Sequence, residues 1–427
     1  MTIPEIVITG AARTPVGKYL GALRDIPAAE LASQVLNAAT KRSGIDPGSV
    51  DDVILGQAYQ NGENVNIARV ALLTADWPLE IPGVTIDRRC LSGIEAICMG
   101  AMKIQCGMVN IVVAGGVENM SRTEFYVPGE WIKWGLSGRI DSKWGLMPRG
   151  HGALSMWGLP FFDRIQRARV MSQPIKRFGE LNSMMSWAEA AAQAENITRE
   201  QADAWAQASH AKAVKALESG KFDQEIIAVP VPQLKSEAQL FVQDETPRAD
   251  VTLAKLAKLS PVYPDGICTA GNSSTENDGA AAVVLMTKKR SYDLGITYLG
   301  ELISFATAAC DPRLTYPAVP AAVKSALAAS GLNLADMELI EIQEAFAAQV
   351  LADVKLMGLA QEEIAEKVNV NGSGISLGHP IGATGTMRLI SLLHEMQRRH
   401  ATYGLVAICG GGGQGIAAVV KRGSSPF

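Results

Sequence analysis

The sequence predicts an α/β protein made of two similar halves, interrupted by a long segment of different character. Apolar strand-like runs alternate with amphipathic helical runs along most of the chain, the pattern of parallel or mixed sheets covered by helices. The pattern also repeats. Residues 43–57, SGIDPGSVDDVILGQ, are matched in order by residues 330–344, SGLNLADMELIEIQE, at an offset of 287. The stretch 123–249 fits neither copy.

The elements follow in the same order in each copy. The first opens on a strand in MTIPEIVITG, then a helix, AAELASQVLNAATKR, leads through a Gly-apolar-Asx turn into the strand DDVILG. The second has the helix AVPAAVKSALAA, a similar turn and the strand MELIEIQ. A later pair agrees: VTIDRRC, a buried helix LSGIEAICMGAMKI and a strand VNIVVAGG correspond to VNVNGSGISLGHPIGATG, the helix TMRLISLLHEM and the strand YGLVAIC. The chain then closes on a glycine turn and a last strand, IAAVVKRG. Duplication of this kind predicts two halves on a pseudo-twofold axis. The first half covers 1–122 and returns at 250–288, and the second covers 289–427. The inserted segment, 123–249, holds Trp131, Trp134, Trp144 and Trp157, many Lys and Arg residues, and helical runs such as TREQADAWAQASHAKAVKAL. A long insertion of this sort is expected to be functional, as a lid or a ligand-binding subdomain.

Composition narrows the function. With 48% hydrophobic and 19% charged residues the chain has the profile of a soluble globular protein. A net charge of −4 gives no positive field to gather phosphates, so nucleic acid is not expected as a partner. No apolar run is long enough to span a membrane, and neither terminus reads as a secretion signal, anchor or peroxisomal address. The six cysteines show no Cys-x-x-Cys pair and no zinc spacing with the five histidines, so no metal is expected. Scattered thiols without a leader point to a reducing, cytoplasmic setting. Cys98 and Cys106 are expected as buried small hydrophobes on one helix.

Three turns carry the chemistry. Cys90 is expected to end a strand and face the start of a helix, whose free N–H groups favour the thiolate. Its counterpart across the repeat is position 377, two residues before His379 in the glycine-rich GISLGHPIGATG. Two halves on a pseudo-twofold bring these junctions face to face, where a neutral imidazole can take the cysteine proton. Cys409 closes a strand and opens GGGGQG. A dinucleotide fingerprint is the weaker reading of that run, because a strand follows instead of a helix with an acidic residue beyond it. Exposed backbone N–H groups for an oxyanion, with Cys409 as a second acid/base, is the better one.

Together these segments resemble the thiolase family. DRRCLSG at 87–93, AGGVENMS at 114–121, TAGNSSTENDGAAAVVLM at 269–286, QEAFAAQ at 343–349, GHPIGATG at 378–385 and CGGGGQG at 409–415 are similar to its motifs and run in its order. The resemblance implies a duplicated five-layer αβαβα fold with an inserted loop domain. It implies CoA-dependent cleavage of a 3-oxoacyl-CoA, or the reverse condensation, through a thioester on Cys90. His379 would activate Cys90 and Cys409 would move the proton at the α-carbon. One oxyanion hole would use His379 and a water held by Gln343, the other the N–H groups of Cys90 and Gly411. Met184, Arg248, Ala270, Ser274 and Phe346 stand at positions implied to line the CoA path. CoA and acyl-CoA would be substrates, with no resident cofactor, in a homodimer or homotetramer.

Several residues depart from the family pattern. Gln343 stands where asparagine is usual. Arg89 and Leu91 flank the nucleophile where smaller or apolar residues are common. Arg89 is expected either to pair with Asp87 or Glu118, or to bias the pocket toward an acidic or unusual acyl chain. The tryptophan-rich insertion is expected to shape a pocket for a bulky chain or an oligomer contact. A ketoacyl synthase of the same superfamily is the near alternative, and Cys409 favours a thiolase over it; a thiolase-like subunit dependent on a partner is the other.

Overall fold

A computed structural model of the chain describes residues 3–62, 65–127, 161–179, 184–233 and 237–423. The chain divides into two compact units, one of residues 1–122 with 184–427 and one of 123–183. The four tryptophans noted in the insertion lie outside the described residues.

In the larger unit, ten strands form one sheet among the described residues, nine of them in a single path. The nine are β1 (Ile6–Arg13), β2 (Asp52–Gly56), β3 (Gly83–Ile86), β4 (Ile111–Asn119), β5 (Asn277–Thr287), β6 (Gly300–Ala309), β7 (Leu339–Ile342), β8 (Tyr403–Gly410) and β9 (Gln414–Arg422). Their order is β7-β8-β9-β6-β1-β5-β4-β2-β3, and the short Gly17–Lys18 strand pairs with β5. The duplication is visible in this order. Outward from β1 come β5, β4, β2 and β3; outward from β6 come β9, β8 and β7, with Val368 bridging Ile340 in parallel where β3 pairs with β2. In both halves the inner pairs are antiparallel and the outer pairs parallel.

The halves join where β1 and β6 pair at Ile6↔Leu302, Val7↔Glu301 and Ile8↔Gly300. Register shifts interrupt β1 between Ile8 and Gly10 and β6 between Leu302 and Ser304. Bulges bend and twist a strand locally, and here they flank the seam.

Strand alternation explains the layers. Val7, Val53, Leu55, Val113, Ala282 and Val284 pack with helices α1 (Ala28–Ser43) and α2 (Ile67–Thr74). Their neighbours Ile6, Ile8, Ile54, Val112, Val283 and Leu285 join a central core with α3 (Ser92–Gln105) and, from the second half, Ile408, Ile416 and Ala418. On the far side Leu405, Ala407, Ala417 and Val419 pack with helices whose ranges are given next. These are α6 (Ala318–Ser330) and α7 (Ala347–Leu356), which follow α4 (Met185–Glu195) and α5 (Arg199–Glu218) in the chain. The last helix, α8 (Ile381–Arg399), is buried continuously from Gly382 to Met396 and packs against α3 and against strands of both halves. The result is α/β/α/β/α, with α3 and α8 as the middle layer. A Cβ on Gly382 would stand 2.6 Å from Val117 O and 2.7 Å from Gly56 O. Glycine there lets the start of α8 rest directly on two strand ends.

Cys98 is buried in the central core as expected, whereas Cys106 is exposed. It caps the C-terminal end of α3, past the last turn that packs on the sheet. From the inserted segment, α4 packs on α7, and α5 packs on α7 and on the helical turn Gly374–Leu377. The smaller unit contains a two-stranded pair, Phe125–Tyr126 with Phe162–Asp163, and a helix Arg164–Val170 capped by Asp163.

Candidate active site

The nucleophile candidate sits on a strained turn. Strand β3 stops at Ile86 instead of running to Cys90, because Arg89 takes φ 54°. That left-handed region is sparsely occupied by side-chain-bearing residues and often marks functional turns. Side chains fix the turn: Asp87 Oδ1 accepts from Arg89 N at 2.7 Å, and Ser92 Oγ accepts from Arg88 N at 2.8 Å and donates to Arg89 O at 2.7 Å. Cys90, partly exposed, emerges one residue before the residue that leads into α3.

The second glycine turn meets this one. β8 ends at Gly410, and Gly412 and Gly413, at φ 84° and 74°, reverse the chain into β9. Ahead of that reversal the Gly411 backbone amide lies close enough to the Cys90 thiol to pull its pKa down. Burial pushes the Cys90 thiol up to about 11, against the opposing pull of the Gly411 N–H and the Arg89 cation. The local donors pull toward the thiolate, and withdrawal from water outweighs them. Cys409, buried, is shifted well up by burial first, then by Cys90 and Asp353. The two thiols thus share one electrostatic environment, and an external base is needed to ionise either.

His379 can be that base. Its backbone N donates to Asn277 Oδ1 at 2.8 Å, and its ring Nδ1 lies 2.7 Å from Thr384 Oγ1. The Thr384 hydroxyl donates its single proton to Pro380 O at 2.9 Å. It must then accept from the ring, so Nδ1 carries the hydrogen and Nε2 the lone pair. Glu118 supports the same turn. Its carboxylate accepts from Ala58 N, Tyr59 N and Gly382 N at 2.9, 3.1 and 3.0 Å. The helices that follow Cys90 and His379 meet at their first turns, where a Cβ on Gly93 would stand 2.8 Å from Gly382 O. Cys90 and His379 therefore project from the same end of the middle layer.

Gln343, fully buried, lies just past β7. Arg388, on α8, donates from Nε to Gln343 Oε1 at 3.2 Å and from Nη2 to Gly378 O at 2.9 Å. Gln343 Nε2 is buried with no hydrogen-bond partner among the described residues. A buried donor with nothing to donate to is costly and marks a place for a ligand or water. A Cβ on Gly374 would stand 2.2 Å from that nitrogen, so only glycine leaves room for the longer amide. Glu344 next to it ties the region to α5, accepting from Trp205 Nε1 and Ser209 Oγ at 3.0 and 2.6 Å.

A cavity of about 500 Å³ opens along Ala270, Ser273, Thr275 and Glu276, and Glu276 forms a β-bridge with His379. Its wall carries the cations Lys18, Arg248 and Lys255, suited to phosphate groups, beside Asp250 and Glu276, with Lys255 Nζ donating to Asp250 Oδ2 at 2.7 Å. His210 also lines it; burial and then Arg248 push its imidazole down to about 4, and its Nδ1 accepts from Arg248 N at 3.2 Å. Of the positions expected along the CoA path, Arg248 and Ala270 line this cavity. Ser274 and Phe346 lie beside it, through Ser274 N to Ala345 O at 2.9 Å and a Ser273–Phe346 bridge. Met184 stands elsewhere, with its Cε 3.4 Å from where a Gly411 Cβ would be. The supporting residues Asn277 and Glu118 lie inside quoted motifs but carried no assigned role. Arg388 and Thr384 look from sequence like ordinary positions of a buried helix. Among the described residues no cluster of three or more His, Cys, Asp or Glu could hold a metal, and no helix is long and apolar enough to cross a membrane.

Comparison with known proteins agrees with this architecture. Residues 6–289 match the family profile "Thiolase, N-terminal domain" and residues 296–422 "Thiolase, C-terminal domain". The chain belongs to the thiolase family. An acetyl-CoA acetyltransferase of Pseudomonas aeruginosa is 41% identical, over 98% of this chain and 99% of that protein. One of Cupriavidus necator is 39% identical over the same shares. Among solved structures, the acetyl-CoA acetyltransferase of Bacillus anthracis superposes with a TM-score of 0.87 at 39% identity, covering 98% of this chain and 99% of its own. Human mitochondrial 3-ketoacyl-CoA thiolase gives 0.86 at 31% identity, covering 99% and 100%. The similarity to solved thiolases thus covers 98–99% of this chain.

Proposed function

We propose that this thiolase cleaves a 3-oxoacyl-CoA with CoA to give acetyl-CoA and a shortened acyl-CoA, or runs the reverse Claisen condensation. The observation that carries the reading is the meeting of the two thiol turns, where the Gly411 amide acts on the Cys90 thiol and Cys90 in turn acts on Cys409. His379 Nε2 takes the Cys90 proton as sulfur adds to the 3-keto carbon. The oxyanion on C3 is held by the N–H groups of Cys90 and Gly411. When the C2–C3 bond breaks, its electron pair moves into the acetyl thioester as an enolate. The protonated His379 and a water on Gln343 Nε2 face that oxygen, and Cys409 delivers a proton to C2. CoA then attacks the Cys90 thioester; its thiol proton passes to Cys409, the Cys90 sulfur leaves and regains its proton from His379, and the shortened acyl-CoA departs. Every proton in this cycle is carried by the chain's own groups, so no resident cofactor is called for.

CoA would lie along the cavity past Arg248, Ala270, Ser274 and Phe346, with Lys18 and Lys255 near its phosphates and Met184 nearer the acyl end. The domain reading stays with this proposal: halves at 1–122 with 250–288 and at 289–427, and 123–249 as the inserted domain. A cytoplasmic homodimer or homotetramer completes the reading, and light scattering on the purified protein measures the assembly.

The test is direct. Purified protein mixed with 3-oxoacyl-CoAs and free CoA should release acetyl-CoA without any added subunit. Absence of acetyl-CoA at every chain length would overturn the reading in favour of a partner-dependent subunit.

A further inference from the structure

Two donors beside the nucleophile have nothing to donate to. The first is Arg89. Its neighbour Arg88 is taken up by structure, bound to Glu95 at 3.1 Å and Gln414 at 3.4 Å. Arg89 is not. Only its backbone N reaches Asp87, and Glu118 is occupied by three amides. Its half-buried guanidinium has neither ion pair nor hydrogen bond among the described residues. The second is Trp187, 6% exposed, whose indole Nε1–H is buried without a partner. Both line one spot. A Cβ built on Gly411 would stand 3.4 Å from Trp187 Cη2, 3.4 Å from Met184 Cε and 3.6 Å from Arg89 Cγ. Gly411 is also the residue whose backbone amide pulls the Cys90 thiol down. The side chains that carry these groups therefore meet beside Gly411, next to Cys90, where an acyl chain on its sulfur would lie.

The chemistry of the two groups selects the ligand. A guanidinium and an indole N–H are donors only. A hydroxyl or amide on the acyl chain would bring donors of its own and leave the cation uncompensated. A carboxylate accepts only, carries the opposing charge and suits the planar fork of arginine. A methyl-ended chain would leave both donors desolvated and unmatched. Resting on the thiolase reading, we propose that this enzyme acts on 3-oxoacyl-CoAs whose acyl chain ends in a carboxylate, recognised by Arg89 and Trp187.

A matched pair of substrates tests it: 3-oxoadipyl-CoA, with a terminal carboxylate, and 3-oxohexanoyl-CoA, with a terminal methyl, beside acetoacetyl-CoA as the short reference. The wild type should show kcat/KM at least tenfold higher for the carboxylate substrate. Arg89→Leu should lower that ratio tenfold or more, Arg89→Lys should restore part of it, and Trp187→Phe should lower it several-fold. Reading the ratio within each variant cancels losses shared by both substrates, including poor folding or a weaker pull on the Cys90 thiol. A ratio unchanged in Arg89→Leu, or a wild type that favours the methyl-ended substrate, overturns the inference. Cleavage of acetoacetyl-CoA without cleavage of 3-oxoadipyl-CoA overturns it while leaving the thiolase reading standing; no cleavage of any substrate removes both.

Discussion

Arg388 Nε donates to Gln343 Oε1 at 3.2 Å, which fixes the amide so that its Nε2 is the end left facing the site. The arginine is itself held by Gly378 O, one residue before His379. One buried side chain therefore aligns the two groups proposed to stabilise the enolate. Arg388→Met keeps the bulk and removes the alignment; kcat should fall about 10–100-fold with a smaller change in KM, the signature of a loss felt in the transition state. Gln343→Asn withdraws the amide by one methylene from Arg388 and should lower thiolysis about tenfold. A large gain instead would mean that Gln343 is a defect and not an adaptation to this arginine.

The hydrogen-bond chain His379–Thr384–Pro380 makes a separate prediction. Thr384→Val removes the acceptor for Nδ1–H without changing shape, so the ring loses the reason to keep its lone pair on Nε2. We expect kcat/KM to fall about 10–100-fold, with Thr384→Ser near wild type. Nitrogen-15 histidine spectra should show the Nδ1–H tautomer in the wild type and a mixture in the valine variant. An unchanged tautomer with normal rates would remove Thr384 from the mechanism.

Trapping the thioester separates the two cysteines. With a 3-oxoacyl-CoA and no free CoA, mass spectrometry should find the shortened acyl group on the Cys90 peptide. Cys90→Ala should show none. Cys409→Ala should acylate at least about 10³-fold more slowly, because the leaving enolate has no proton donor. Acylation found on Cys409 in the wild type would reverse the assignments.

Much of this was legible from sequence because duplication leaves a fixed offset. The strands Asp52–Gly56 and Leu339–Ile342 differ by the same 287 residues read from the turns before them. Cys90, His379 and Cys409 could be picked out as candidates because each sits at a short strand end or turn of unusual composition. What the sequence hid depends on depth. The strand before Cys90 ends early since Arg89 adopts a left-handed turn that no propensity forecasts for arginine. The rise of the Cys90 thiol was hidden because a helix start is visible in sequence and the loss of water around a sulfur is not. Arg388 and Trp187 sit on helices, where a charged or aromatic residue reads as surface or core; only the unmatched atoms around them reveal a role.

Glu118 gives the pH dependence of stability. Burial lifts its carboxyl from the usual carboxylate range to about 7, against the pull of the Ala58, Tyr59 and Gly382 amides. A carboxyl whose folded pKa lies above its unfolded one binds its proton more tightly in the folded state. Its contribution to stability is whole below about pH 4.5 and is lost as pH rises through about 7. A shift of this size corresponds to about 3 kcal/mol in order of magnitude. Asp278, lifted to about 6 mainly by burial, acts in the same direction. Chemical unfolding at pH 5, 6.5 and 8 should therefore show falling stability across the series. Glu118→Gln cannot ionise, so its curve should be flatter over this window, although it starts lower at pH 5 because the side-chain amide meets a backbone N–H where an oxygen stood. An equally steep loss in the glutamine variant would show that the three amides hold Glu118 ionised throughout, and that the pH dependence arises from other groups.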